Sequence, residues 1–301
     1  MKIMLPGILS GKKIVELKFF SSRQIPFVAF AFVAIGFFSC CKEVGPNINL
    51  FGDQGSDSSG YVDSSQQKNV LLEDFTASNC TNCPKGRDVI DNLLALYPGR
   101  MEVVEVHQGP LSFPLLPGNP AFKTQDGEDL AAYLGPPPFW PSGAVDRILY
   151  PDGRLIDRNL WPTYVPEELD SPLKVMLGVN TIYNNSSRVV TGSVTVDFLQ
   201  TITDALNITV LITESGIVAA QLDGVIIDTF YVHRDVLRDI VTGVQGDLVT
   251  GAKTQGSAWT YTLNSYSVPV EWNADSCRII ACVSKSAGSY DVLQAMGKSL
   301  K

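Results

Sequence analysis

Residues 69–91, NVLLEDFTASNCTNCPKGRDVID, change hydrophobic period midway. Val70, Leu71, Leu72 and Phe75 form a short apolar run interrupted by Glu73 and Asp74, the pattern of a buried strand ending at a polar edge. After a short turn, Val89, Ile90, Leu93, Leu94 and Leu96 recur at helical spacing. Pro84 stands where a first helical turn accepts proline, and Pro98-Gly99 ends the stripe. Residues 101–107 read as the next strand and 129–134 as a second helix.

Further on, Pro151-Asp152-Gly153-Arg154 reads as a hairpin turn and 159–172 as a proline-rich connector, which places a domain boundary near 168. From Leu173 the period changes to two. Segments 175–182, 189–198, 206–213, 225–232, 257–263 and 278–283 are rich in Val, Ile and Thr and read as strands. Their spacing predicts an antiparallel β-sandwich of immunoglobulin-like type. Only 236–241 carries a stripe that could be helical. The expected body is therefore α/β over 69–167 followed by all-β over 168–301.

Residues 1–39 read as a secretion signal. Basic side chains end at Arg23, and an apolar run of about 14 residues follows, short against the roughly 20 a spanning helix needs. It closes on Phe37-Phe38-Ser39-Cys40, which resembles a bacterial lipoprotein cleavage box. The implied chemistry is thioether diacylation of Cys40, cleavage before it and acylation of the new amino group, a firm hold on a membrane. Cys41 as the modified residue and an uncleaved signal anchor are the alternatives. Residues 40–68, with many Ser, Gly and Asp, have too little apolar surface to fold and read as a lipidated flexible tether.

The formal net charge is −8. Residues 1–39 hold five bases and one acid, so the remainder, with 18 basic and 30 acidic side chains, is near −12. Such a surface repels phosphate backbones, which argues against nucleic acid as a partner. Six cysteines are too few for a disulfide scaffold and fall into three pairs. Cys277 and Cys282 share one expected strand, on opposite faces and about 16 Å apart, so they cannot bond each other; buried free thiols are expected, with a disulfide to another domain as the alternative.

Cys80 and Cys83 open a helix after an apolar strand, a spacing that points to thiol chemistry. No second ligand pair accompanies them, so no metal site is expected, and no cofactor motif is read. His107 ends its strand, either near Cys80 or bonded to backbone. The segment from Tyr231 to Asp239 is too polar for a core strand. It reads as a ligand-binding loop, or as a solvated edge where His233 and Arg238 bond local carboxylates.

Residues 74–80, DFTASNC, resemble the strand-to-active-site run of the thioredoxin fold, and Pro136–Gly143, PPPFWPSG, resembles its cis-proline loop. The resemblance implies a cis Trp140-Pro141 bond facing the cysteines and a Cys80–Cys83 disulfide. It also implies Cys80 as nucleophile at the helix N-terminus, Cys83 as resolving thiol, and Asp74 beneath them as proton acceptor. Backbone beside Trp140 would pair with an extended peptide. The residues flanking the thiols depart from that family, with Thr76, Asn79 and the dipeptide Thr81-Asn82.

The lipobox, the Cys80/Cys83 motif with Pro84, the segment from Trp140 to Arg147 and that from His233 to Arg238 together resemble the 28-kDa outer-membrane-protein (Omp) lipoprotein family of Gram-negative bacteria. The resemblance implies a lipid-anchored outer-membrane location, on the periplasmic or the cell-surface face. It also implies a surface binding, adhesin or receptor-like role toward an unknown protein or peptide ligand. An envelope thiol–disulfide oxidoreductase is the alternative.

Overall fold

The computed structural model describes residues 65–286 and 288–301. The signal segment, Cys40, Cys41 and the tether up to residue 64 lie outside the described residues. The first half holds β1 (Val70–Thr76), α1 (Cys83–Leu96), β2 (Met101–His107), α2 (Gln125–Leu134), β3 (Ser142–Val145), β4 (Ile156–Asp157) and α3 (Trp161–Leu169). Long strands follow: β5 (Val175–Asn184), β6 (Val189–Phe198) and β7 (Leu206–Glu214). Short ones come next: β8 (Ile217–Val218), β9 (Gln221–Asp223), β10 (Ile226–Asp228), β11 (Val232–His233), β12 (Val236–Ile240) and β13 (Asp247–Leu248). The chain ends on β14 (Ala258–Ser267), β15 (Cys277–Lys285) and β16 (Val292–Ser299). The protein is mixed α/β and mostly strand.

One nine-stranded sheet runs β16-β15-β7-β12-β2-β1-β3-β4, with β13 also on β7. β1 and β2 pair in parallel through the α1 crossover, and β3 returns antiparallel on β1. β12 joins the far edge of β2 in parallel at Val236 and Glu105, where the Glu105 amide donates to the Asp235 carbonyl at 2.7 Å. This pairing crosses the expected boundary near 168. Strands from both sides share one sheet, and all described residues belong to one compact unit. An unpaired edge on β2 would leave backbone groups without partners; the chain entering β12 satisfies the Glu105 amide.

The alternation along each strand divides the interior. Ile208, Val210 and Ile212 of β7 and Ile279, Ala281 and Val283 of β15 face a second sheet, β14-β6-β5, through Val194, Val196 and Phe198. The opposite face carries Leu211, Ile280 and Cys282 into a cluster with Phe75, Val104, Val106 and Leu130 of α2. Val70, Leu72 and Val103 meet Ile90 and Leu93 of α1 and Trp161 and Val165 of α3.

Four expectations change. The connector at 159–172 contains α3, whose Trp161, Val165 and Leu169 fall at i, i+4 and i+8 and are buried. The possible helical stripe at 236–241 is β12, held between β2 and β7. The single strand expected at 225–232 is instead the exposed β10 and the start of β11, whose partners among the described residues are the short β9 and β8. The tether ends earlier than 68, because Gln66 bonds Leu177 and Gln294, and buried Lys68 pairs with Asp146 at 2.5 Å.

Candidate functional site

The Cys80 and Cys83 sulfurs lie 2.07 Å apart, at disulfide distance. Helix α1 begins at Cys83, with Pro84 in its first turn, so Cys80 occupies the turn before it rather than the helix N-terminus. The Cys83 amide closes that turn onto the Cys80 carbonyl at 3.3 Å. The Trp140-Pro141 peptide is cis. Pro141 packs on α1 at Gly86, where an added Cβ would sit 2.9 Å from Pro141 Cγ. Trp140 joins Ala77, Leu111 and both cysteines in one apolar cluster.

The disulfide is covered, each cysteine being only 4% exposed. The cover is the β9–β10 hairpin. The Leu222 amide donates to the Ser78 carbonyl at 2.9 Å, and the Gly224 amide to the Thr81 carbonyl at 3.0 Å. The Gln221 side-chain amide donates to the carbonyls of Ala77 and Cys80. Beyond this clamp the hairpin presents Val225 (97% exposed) and Ile226 (69%) to solvent, and Phe230 (80%) follows it in the chain.

Asp74 follows Val70 and Leu72 on the face of β1 that packs under α1. Burial and the neighbouring Glu105 push its carboxyl well above the usual range, against Arg87 and Arg158. Burial lifts Glu105 to about 7, opposed by the guanidinium of Arg87 at 3.3 Å. Arg87 also pairs with Asp91 and Asp235 at 2.8 Å each.

His107 and His233 are brought together, their rings 5.5 Å apart, with Phe122 and Tyr231 around them. Burial pushes His107 well below the usual imidazole range. It pushes His233 to about 4, opposed by the adjacent Ala219 and Ala220 backbone. Among the described residues His233 bonds no carboxylate, and it is fully buried rather than at a solvated edge. Arg238 does pair with a carboxylate, Glu214 at 3.4 Å, and lies over Trp272, away from the histidine pair's ring contacts.

Gln221, Glu105 and Phe122 were not singled out from the sequence. Glu105 and His107 at i, i+2 on one strand carried a usable signal. Gln221 and Phe122 carried none, since their partners are distant in the chain.

A mixed, mostly-β body with a covered disulfide beside a cis proline is the class of protein that this geometry defines. Residues 139–301, more than half of the chain, match the model of outer membrane protein Omp28, and the chain belongs to that family. Membership supports an outer-membrane location. The structure of HBP35 of Porphyromonas gingivalis is similar in fold, with TM-score 0.63 and 18% identity over 79% of this chain and 77% of that one. A domain of the outer membrane lipoprotein Omp28 from Porphyromonas gingivalis matches at TM-score 0.28 and 18% identity, covering 44% of this chain and 93% of that one. No curated protein matches the sequence.

Proposed function

We propose that the protein is an outer-membrane lipoprotein, anchored through Cys40, that binds a protein or peptide partner. Its body combines a thioredoxin-like half with an immunoglobulin-like sandwich fused edge to edge through β2 and β12. The observation that carries the reading is the β9–β10 hairpin. Val225 and Ile226 stand in solvent on an element whose root is clamped to the Cys80–Cys83 turn, and the exposed Phe230 follows two residues after it. Clustered exposed apolar side chains mark interaction sites, and clamping limits the ordering cost of binding. The disulfide on this reading is a structural brace.

The test is site-specific photo-cross-linking in intact cells. A photoreactive residue at Val225 or Phe230 gives a discrete protein adduct, whereas one at the exposed Leu96 of α1 does not. Absence of an adduct from both Val225 and Phe230 overturns the reading.

The cis Pro141 packed against α1 beside the cysteines supports thiol–disulfide exchange as a second reading. Cys80 would attack a client disulfide, Cys83 would resolve the mixed disulfide, and Asp74 would take the proton. A midpoint potential between about −270 and −120 mV with insulin reduction fits exchange, and one below about −300 mV without turnover fits the brace.

A further inference from the structure

Two buried histidines outside the disulfide turn make no well-formed hydrogen bond among the described residues. His107 is 2% exposed and His233 0%. None of their four ring nitrogens has a hydrogen bond among the described residues. The Ala219 and Ala220 backbone lies beside His233 without meeting hydrogen-bond geometry. Aromatic rings surround the pair: Phe122 lies 4.9 Å from His107 and 4.4 Å from His233, and Tyr231 lies 4.8 Å from His233. Unpaired buried polar atoms are costly and call for an explanation. Ring packing alone does not supply one, because phenylalanine would pack as well without the cost.

Glu105 completes the group. It lies two residues before His107 on β2, so both side chains leave the same face of the strand. His233 ends β11, two residues before the Asp235 carbonyl that accepts the Glu105 amide. One ligating atom from each of Glu105, His107 and His233 lies within 4.8 Å of the others. Ligands held at about 2.1 Å around a tetrahedral ion stand roughly 3.4 Å apart, so the three side chains would close on the ion as it binds.

We propose that Glu105, His107 and His233 bind a divalent transition-metal ion of the zinc type. Two neutral imidazoles and one carboxylate form a ligand set that zinc sites use. Imidazole donors disfavour calcium and magnesium, which take oxygen ligands. Arg87 does not oppose the ion as a bare charge, because Asp91, Asp235 and Glu105 surround it. Its bond to one Glu105 oxygen orients the carboxylate from the outer shell. The bound ion joins β2 to the strand that returns from the covering hairpin, and so braces the hairpin's root.

The experiment uses the full chain purified in detergent, stripped with a chelator and kept oxidised. Zinc alone is titrated against a chromophoric chelator. One ion per chain binds, the melting temperature rises with zinc concentration, and magnesium has no such effect. X-ray absorption then reads nitrogen and oxygen donors near about 2.1 Å and no sulfur near about 2.3 Å. Glu105→Gln and His233→Phe each weaken binding by about 100-fold or more. His233→Phe keeps the aromatic packing, so it tests the ligand without emptying the core.

Absence of stoichiometric zinc binding to the folded wild-type chain overturns the proposal, whatever the variants do. So does sulfur in the absorption spectrum, which would place the ion on thiols. Unchanged zinc affinity in a folded His233→Phe chain also overturns it, and leaves the histidines as core groups beside Ala219 and Ala220.

Discussion

Gln221 donates its side-chain amide to the backbone carbonyl of Cys80 at 3.3 Å. The same nitrogen reaches the Ala77 carbonyl at 3.1 Å, so one side chain from the hairpin holds the turn that carries the disulfide. Gln221→Ala removes this tie. The expected outcome is faster reduction of Cys80–Cys83 by dithiothreitol, by roughly five- to thirtyfold, the range that about 1–2 kcal/mol for the two lost hydrogen bonds gives. Quenched reduction followed by mass spectrometry reads the rate. An unchanged rate means that the hairpin does not control access to the sulfurs.

Gly143 pairs with Asp74 across the sheet and lies flush against α3. An added Cβ there would meet the buried Trp161 ring at 2.8 Å. The ring is fully buried. Gly143→Ala is expected to cost about 1–3 kcal/mol, the usual penalty of overpacking a core. Urea denaturation measures it, and a change under about 0.5 kcal/mol, as at an ordinary surface site, would show that α3 can shift.

Arg147 forms a two-pronged pair with Glu73, at 2.9 and 2.6 Å, with both side chains almost wholly buried. Arg147→Met leaves a carboxylate without its cation, and a loss of about 3–5 kcal/mol is expected. Adding Glu73→Leu should recover most of that loss, since an apolar pair needs no charge compensation. If the double variant is no better than the single one in urea melts, the pair matters through its hydrogen-bonded geometry rather than through uncompensated charge.

Cys277 and Cys282 are buried free thiols on opposite faces of β15, as the strand period predicted. Burial pushes Cys277 up to about 12 and Cys282 up to about 11. Two consequences follow. At pH 8 a thiol reagent should label neither until the chain unfolds. Stability should also be full below about pH 9 and fall as pH rises through about 11–12, because the unfolded thiols release protons that the folded ones keep. Denaturant midpoints across that range, compared with those of a Cys277→Ala/Cys282→Ala chain, isolate this slope.

Local pattern alone determined much of the architecture. The apolar run before Cys80, the proline after Cys83 and the helical stripe to Leu96 specified β1, the turn and α1, because each depends on neighbours a few residues away. The two-residue period likewise placed β5, β6, β7, β14 and β15, and it placed Cys277 and Cys282 on opposite faces. Tertiary structure decided the rest. Whether Val225–Val232 is core or surface depends on which strand pairs with it, and the period of an apolar run does not name its partner. The joining of β2 to β12, the cover that Gln221 helps hold over the disulfide, and the meeting of Glu105 and His107 with His233 all join residues more than a hundred positions apart. Such contacts arise from packing and strand pairing between distant segments, so the spacing of residues along the chain does not record them.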